Sequence, residues 1–153
     1  MIFRATTEYA IRALAHLAML PQGERMLARD LAEATEVPRQ FLGKILHRLA
    51  QEGLLDSAKG RGGGFMFKVD PATVRVKQVV DIFEKKKVCV LGMHDCNDEQ
   101  PCPMHDDWVL FRKKLTAEVD NITFDVLGTN LRAKLATLEK AGLLQPTPPP
   151  AEG

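Results

Sequence analysis

Through the first third of the chain, apolar residues recur at helical spacing. In residues 6–20 (TTEYAIRALAHLAML), Tyr9, Ala13, Leu14, Leu17, Met19 and Leu20 mark a stripe, which predicts a helix. Thr6 or Thr7 is the expected cap and Glu8 suits the first turn. Pro21 and Gly23 end the segment. A second, short helix is predicted from Met26 to Thr35, with Leu27, Leu31 and Ala34 inward. A third runs from Pro38 to Glu52, where a proline at the start costs nothing because its missing N–H has no partner there. Phe41, Leu42, Ile45, Leu46 and Leu49 are expected inside, leaving Gln40, Gly43, Lys44, His47 and Arg48 outward or at the rim. Two short strands follow, Leu54–Ala58 and Phe65–Val69, around KGRGGG (Lys59–Gly64). Glycines at such a hairpin tip permit positive φ. A phosphate-binding loop is excluded, since a strand follows the glycines and no Lys-Ser or Lys-Thr closes them.

The second half returns to helical spacing on either side of an irregular stretch. Val76–Glu84 predicts a fourth helix with Val79, Val80 and Phe83 inward, and Lys85, Lys86 and Lys87 follow it. Gly92, Pro101 and Pro103 then break regular structure. From Met104 to Ile122, Trp108, Phe111, Leu115, Val119 and Ile122 recur at steps of three and four. So large an apolar seam predicts pairing with a second copy. Thr123 is the expected cap of a last helix to Lys140, with Leu127, Leu131, Leu135 and Leu138 as its stripe and Gly128 expected to break or bend it. The proline-rich end, residues 145–153, is expected to be disordered.

The fold class that emerges is mainly α with a small β-hairpin wing: a winged helix-turn-helix domain plus a long dimerisation helix. The expected divisions are residues 1–84 for the winged helix-turn-helix, 85–105 for a loop, 106–144 for the dimerisation and C-terminal helices, and 145–153 for the tail.

Charge adds a function to that layout. The 153 residues carry a formal net charge of only +1, but Pro38–Lys68 holds six basic residues against two acidic ones. Arg39, Gln40 and Lys44 lie in the first turns of the third helix, the end that reaches base edges when such a helix enters a major groove. Lys59 and Arg61 sit at the wing tip, placed for phosphates or a narrow minor groove. Double-stranded DNA is therefore the expected partner, and protein contact through the same elements is the alternative. No apolar run is long enough for a membrane span. No leader pattern is recognised, and a reducing cytoplasm is the expected compartment.

The irregular stretch carries the chemistry. Cys89, Cys96 and Cys102, the three cysteines of the chain, are separated by six and then five residues, and His105 follows after two more. Thiolates and imidazole hold zinc or iron–sulfur clusters. An odd number of cysteines in a reducing compartment argues against a structural disulfide. A cluster, a zinc ion and a metal-free thiol switch all remain open on the residues alone. The spacings are wide for a zinc finger, and a ferredoxin-like chain would carry four cysteines. No Ser/His/Asp arrangement or paired acid motif points to an enzyme.

The opening TTEYAIRALAHLA, the wing GRGGGF and the cysteine loop before a long helix together resemble the IscR/NsrR-type winged-helix transcriptional regulators, the "Rrf-two" family. The resemblance spans about Met1 to Leu127. It implies a homodimeric bacterial DNA-binding protein, usually a repressor acting on palindromic operators, that senses redox state, nitric oxide or iron and cluster status through an iron–sulfur cluster. By the resemblance Cys89, Cys96 and Cys102 are the thiolate ligands. The fourth ligand is His105, as in IscR-like members, or Glu8 of the partner subunit, where NsrR-like members typically have Asp. The first cysteine gap is six residues where the commonest IscR-like spacing is five. Whether the cluster is 2Fe–2S or 4Fe–4S stays open.

Overall fold

Ala10, Ala13, Leu14 and Leu17 share one face of the first helix, α1 (Ala5–Leu17), and that face is buried among the other helices. The computed structural model describes residues 3–84 and 89–144. The expected tail at 145–153 and the run Lys85–Lys87 lie outside the described residues. Among those described, six α-helices and one two-stranded hairpin form, as the sequence pattern predicts.

α1 is not capped by Thr6 or Thr7. Its N-cap position is Arg4, with no side-chain cap of its own. Thr7 lies inside the helix, fully buried, and donates its hydroxyl to Glu84 at 2.6 Å. The same carboxylate accepts the Arg4 backbone N–H at 2.7 Å. A distant acid thus anchors the start of α1, while the first N–H groups of the helix itself receive no side-chain cap.

α2 (Ala28–Thr35) begins two residues later than the sequence predicts. Met26 is held extended instead: it exchanges backbone hydrogen bonds of 2.8 and 3.0 Å with Phe65. Glu36 then turns the chain in a left-handed conformation, φ 55°, and Val37 is buried in the turn. α3 (Arg39–Gln51) starts directly after Pro38 and buries Leu42, Ile45, Leu46 and Leu49. Phe41 departs from expectation. It is 51% exposed, because it precedes Leu42, the first residue of the helix to reach the core.

The hairpin pairs β1 (Leu55–Ala58) with β2 (Gly64–Phe67), antiparallel, in the register Leu55 opposite Phe67 to Ala58 opposite Gly64. Both strands are shorter than the sequence predicts. Leu54 is used to close α3, its N–H bonding Leu49 at 3.0 Å. Arg25 stitches the hairpin to the segment before α2, donating to the carbonyls of Asp56 and Gly64 and pairing with the Asp56 carboxylate.

A short 3-10 turn, Pro71–Thr73, leads into α4 (Val76–Phe83), which buries Val76, Val79 and Val80. α5 (His105–Val119) has no buried residue among those described. α6 (Phe124–Lys140) runs unbroken through Gly128. That glycine does not break the helix; it lets α6 cross α1. A Cβ there would lie 2.8 Å from the Ala18 Cβ and 2.9 Å from its carbonyl carbon. Phe124 is fully buried in the core built by α1, α2, α3 and α4. Two backbone bonds fix its entry, Val76 N–H to Ile122 at 2.9 Å and Phe124 N–H to Val74 at 3.0 Å.

Candidate metal centre and nucleic-acid interface

The cysteine loop ends where α5 begins. Gly92 takes φ 71°, closing a turn in which its N–H bonds the Cys89 carbonyl at 3.0 Å. The Asn97 side chain accepts the N–H groups of Glu99 and Gln100 at 2.8 and 2.9 Å and donates to the Asp95 carbonyl at 3.0 Å. The His105 N–H bonds the Cys102 carbonyl at 3.0 Å. These turns bring Cys89, Cys96 and Cys102 together, their sulphurs all within 4.8 Å of one another. The Cys89 and Cys102 Sγ atoms are 3.6 Å apart.

His105 joins them. Its Nδ1 lies 3.2 Å from the Cys96 Sγ, and its Nε2 lies 3.0 Å from Asp98 Oδ1. A cavity of about 240 Å³ opens beside the sulphurs, lined further by Trp108, Val109, Arg112 and Thr116 of α5. Glu8, on α1, is not among the side chains gathered at the sulphurs within one chain.

The thiols are electrostatically unequal. Burial pushes Cys102 up, and the neighbouring Cys89 and Cys96 add to that, against the Met104 N–H. Burial raises Cys89 too, but hydrogen bonds from the Met93 and Leu91 backbone and from the Cys102 and Cys96 thiols outweigh it, so Cys89 falls below the ordinary thiol range. Cys89 is therefore the more readily ionised of the two, and thiolates are the metal-binding form.

The donor set fits an implied metal group. Three thiols and an imidazole converge, with no Lys or Arg between Val88 and Val109 to compete for them. One tetrahedral metal with bonds near 2.3 Å sets its sulphurs about 3.8 Å apart, close to the Cys89–Cys102 separation. Two sulfide-bridged irons spread their outer ligands farther, and the adjoining cavity gives room for that.

The residues expected to meet DNA lie on two exposed elements. Arg39, Gln40 and Lys44 are exposed on the first turns of α3, with Phe41 exposed among them. Lys59 and Arg61 are exposed at the hairpin tip. Gly60 and Gly62 take positive φ there. A Cβ on Gly63 would fall 2.5 Å from the Ala58 carbonyl oxygen, so the tip cannot carry a larger residue at that position without moving.

Sequence reasoning missed Phe41 as an exposed residue, Asp98 as the partner of His105, and Glu84 as the tie to α1. Only Asp98 left a trace, as an acid inside the cysteine loop.

A helical head with a glycine-tipped hairpin and a basic α3 defines a winged helix-turn-helix regulator that binds DNA. Residues 3–130 match the Rrf2 family, described as iron-dependent transcriptional regulators, and the chain belongs to that family. A protein of Aquifex aeolicus strain VF5, named as a helix-turn-helix-type transcriptional regulator, is 34% identical over 113 residues, covering 71% of this chain and 78% of its own length. NsrR of Bacillus subtilis strain 168 is 34% identical over 74 residues, 48% of this chain and 51% of that protein. IscR of Escherichia coli O1:K1 is 25% identical over 124 residues, 80% and 76% of the two. Staphylococcus aureus CymR in its oxidised form superposes with a TM-score of 0.66 at 18% identity, covering 84% of this chain and 96% of that one. IscR of T. potens does so at 0.62 and 19%, covering 93% and 91%. At these identities the structural likeness speaks for the fold. The family and these named relatives are transcriptional regulators, not enzymes. No helix among the described residues is long and apolar enough to cross a membrane.

Proposed function

We propose that this regulator is a homodimeric repressor that senses through an iron–sulfur cluster held by Cys89, Cys96 and Cys102, with His105 or Glu8 of the partner subunit as fourth ligand. The observation that carries the reading is the convergence of three sulphurs within 4.8 Å beside a cavity, at the base of α5, in a winged-helix head. When bound, the cluster supplies a centre that oxidants, nitric oxide or iron shortage attack. The chain's own residues do the rest. Residues 85–105 link the DNA head (1–84) to α5 and α6 (106–144). Cys89 lies on the head side of that link and Cys102 on the α5 side. Joining their sulphurs to one centre fixes α5 against the head.

Phe111 of the α5 seam, with Leu110 beside it, is about half exposed, which supports pairing with a second copy. Two-fold pairing presents two α3 helices to a palindromic operator. Arg39, Gln40 and Lys44 then meet base edges, and Lys59 and Arg61 meet phosphates or the minor groove. A signal changes occupancy only through different DNA affinities of the tied and released states. Such a protein works in the bacterial cytoplasm, where its operator lies.

The test is iron and sulfide analysis with Mössbauer spectra of protein made without oxygen, paired with operator titration. Cluster-bearing protein should bind DNA differently from the variant with all three cysteines changed to alanine. Iron-free protein that grips its operator as the triple variant does defeats the sensor. A second reading, one zinc ion on the same donors, is favoured by the 3.6 Å sulphur separation. The same metal analysis separates the two.

A further inference from the structure

His105 is held on both ring nitrogens. On one side its Nε2 is 3.0 Å from Asp98 Oδ1, and on the other its Nδ1 is 3.2 Å from Cys96 Sγ. An ionised carboxylate only accepts hydrogen bonds. The Asp98 contact therefore puts the ring proton on Nε2, and in the neutral imidazole this leaves the lone pair on Nδ1, facing the sulphurs. Ligating histidines commonly hand their other N–H to a carboxylate, which fixes both tautomer and ring plane.

Asp98 is itself placed by its turn. The Asn97 side chain closes residues 95–100 with three hydrogen bonds to the backbone. The His105 side chain is only 9% exposed, whereas Asp98, at 71%, approaches it from the solvent side.

We infer that Asp98 is a positioning residue that presents His105 to the metal through Nδ1, making His105, within the same chain, the fourth ligand. This deepens the proposed function and rests on it. It names an atom and an outer partner that the cysteine spacing alone does not. It also leaves Glu8 without a part in the centre. Asp106 and Asp107 follow His105 on α5 but are exposed, and the His105 ring contacts Asp98 instead.

The experiment compares wild type, Asp98→Ala and Asp98→Asn, the last keeping a side-chain oxygen to accept from Nε2. In the metal-free, reduced protein, two-dimensional proton–nitrogen spectra of the histidine rings should show His105 protonated on Nε2 alone. Asp98→Ala should mix the two tautomers, and Asp98→Asn should restore the wild-type pattern. With zinc alone as the probe, affinity should fall about 10- to 100-fold in Asp98→Ala, the usual cost of losing such an outer partner. In anaerobically reconstituted and reduced protein, pulsed EPR should detect one coupled ring nitrogen that is lost in His105→Ala and altered in Asp98→Ala. Unchanged tautomer, zinc affinity and nitrogen coupling in Asp98→Ala overturn this inference while leaving a cluster-bearing protein intact. Wild-type protein that takes up no iron or sulfide sinks the cluster reading instead; the ring spectra and zinc titration still judge Asp98.

Discussion

Glu84 closes the N-terminus of α1 from the far end of α4, accepting the Thr7 hydroxyl at 2.6 Å across 77 positions of sequence. It stands five positions before Cys89. The last described residue before the cysteine loop is therefore tied to α1, the helix at the centre of the head's core. Thr7 is fully buried, so Glu84→Ala leaves its hydroxyl without this acceptor. The expected loss is about 1–3 kcal/mol of stability. Urea unfolding of Glu84→Ala, Thr7→Val and the double variant measures it. Equal losses for Glu84→Ala with and without Thr7 would show that the two side chains are not coupled.

Gly128→Ala should destabilise by about 1–3 kcal/mol through overpacking, because the new methyl meets the backbone of Ala18 as well as its Cβ. Ala18→Gly removes only the Cβ contact, so it should restore part of the loss. Thermal melts of the single and double variants check this. A fully stable Gly128→Ala would mean that the α1–α6 crossing yields readily.

Phe41 should matter to DNA and hardly at all to folding. It is half exposed beside Arg39, Gln40 and Lys44, and an aromatic edge there suits a thymine methyl. Phe41→Ala should leave the urea midpoint unchanged and weaken operator binding by about 1–3 kcal/mol, with selectivity lost at one base pair. Lys59→Ala and Arg61→Ala should instead weaken all sequences alike and lower the salt slope by about 1 each. Gel shifts over a salt series, on an operator and on scrambled DNA, separate these outcomes.

Stability should fall with acid through His16. Burial on α1 holds its imidazole below the ordinary value of 6.5. The unfolded chain therefore takes up the proton first, and the folded state is penalised as pH drops below 6.5 and through the lowered value. Above 6.5 the ring is neutral in both states and contributes nothing to the pH dependence. Urea midpoints at pH 7 and pH 5 should differ less in His16→Gln than in wild type. An equal drop in both would assign the acid limb to other groups.

The helices and the wing were legible because each carries a local period: Leu42, Ile45, Leu46 and Leu49 on α3, and a glycine run between two short strands. The cysteine loop was legible because its thiols and His105 cluster in sequence as they do in space. What escaped the sequence was non-local. Nothing near Thr7 announces that Glu84 will bind it. Nothing near Met26 shows that Phe65 will hold it extended and delay α2. Gly128 reads as a helix breaker until Ala18 is seen beneath it. Phe41 fits the α3 stripe by spacing and leaves the core only because α3 reaches past it. The role of Asp98 depended on the turn at Asn97, whose geometry the residue types permit but do not dictate.

The seating of Phe124 bears on how a signal would travel. α5 is a rod of 15 residues, about 22 Å long at the usual helical rise. Its far end is pinned by Ile122 and Phe124 to the heart of the head, and on the proposed function its near end is clipped by the loop through Cys102 and His105. Releasing the clip leaves the pin untouched, so any swing is widest at His105 and dies away toward Ile122. Spin labels on Asp107 and Glu118, each measured against a reference on α3, should therefore report large and small displacements respectively when the loop is released.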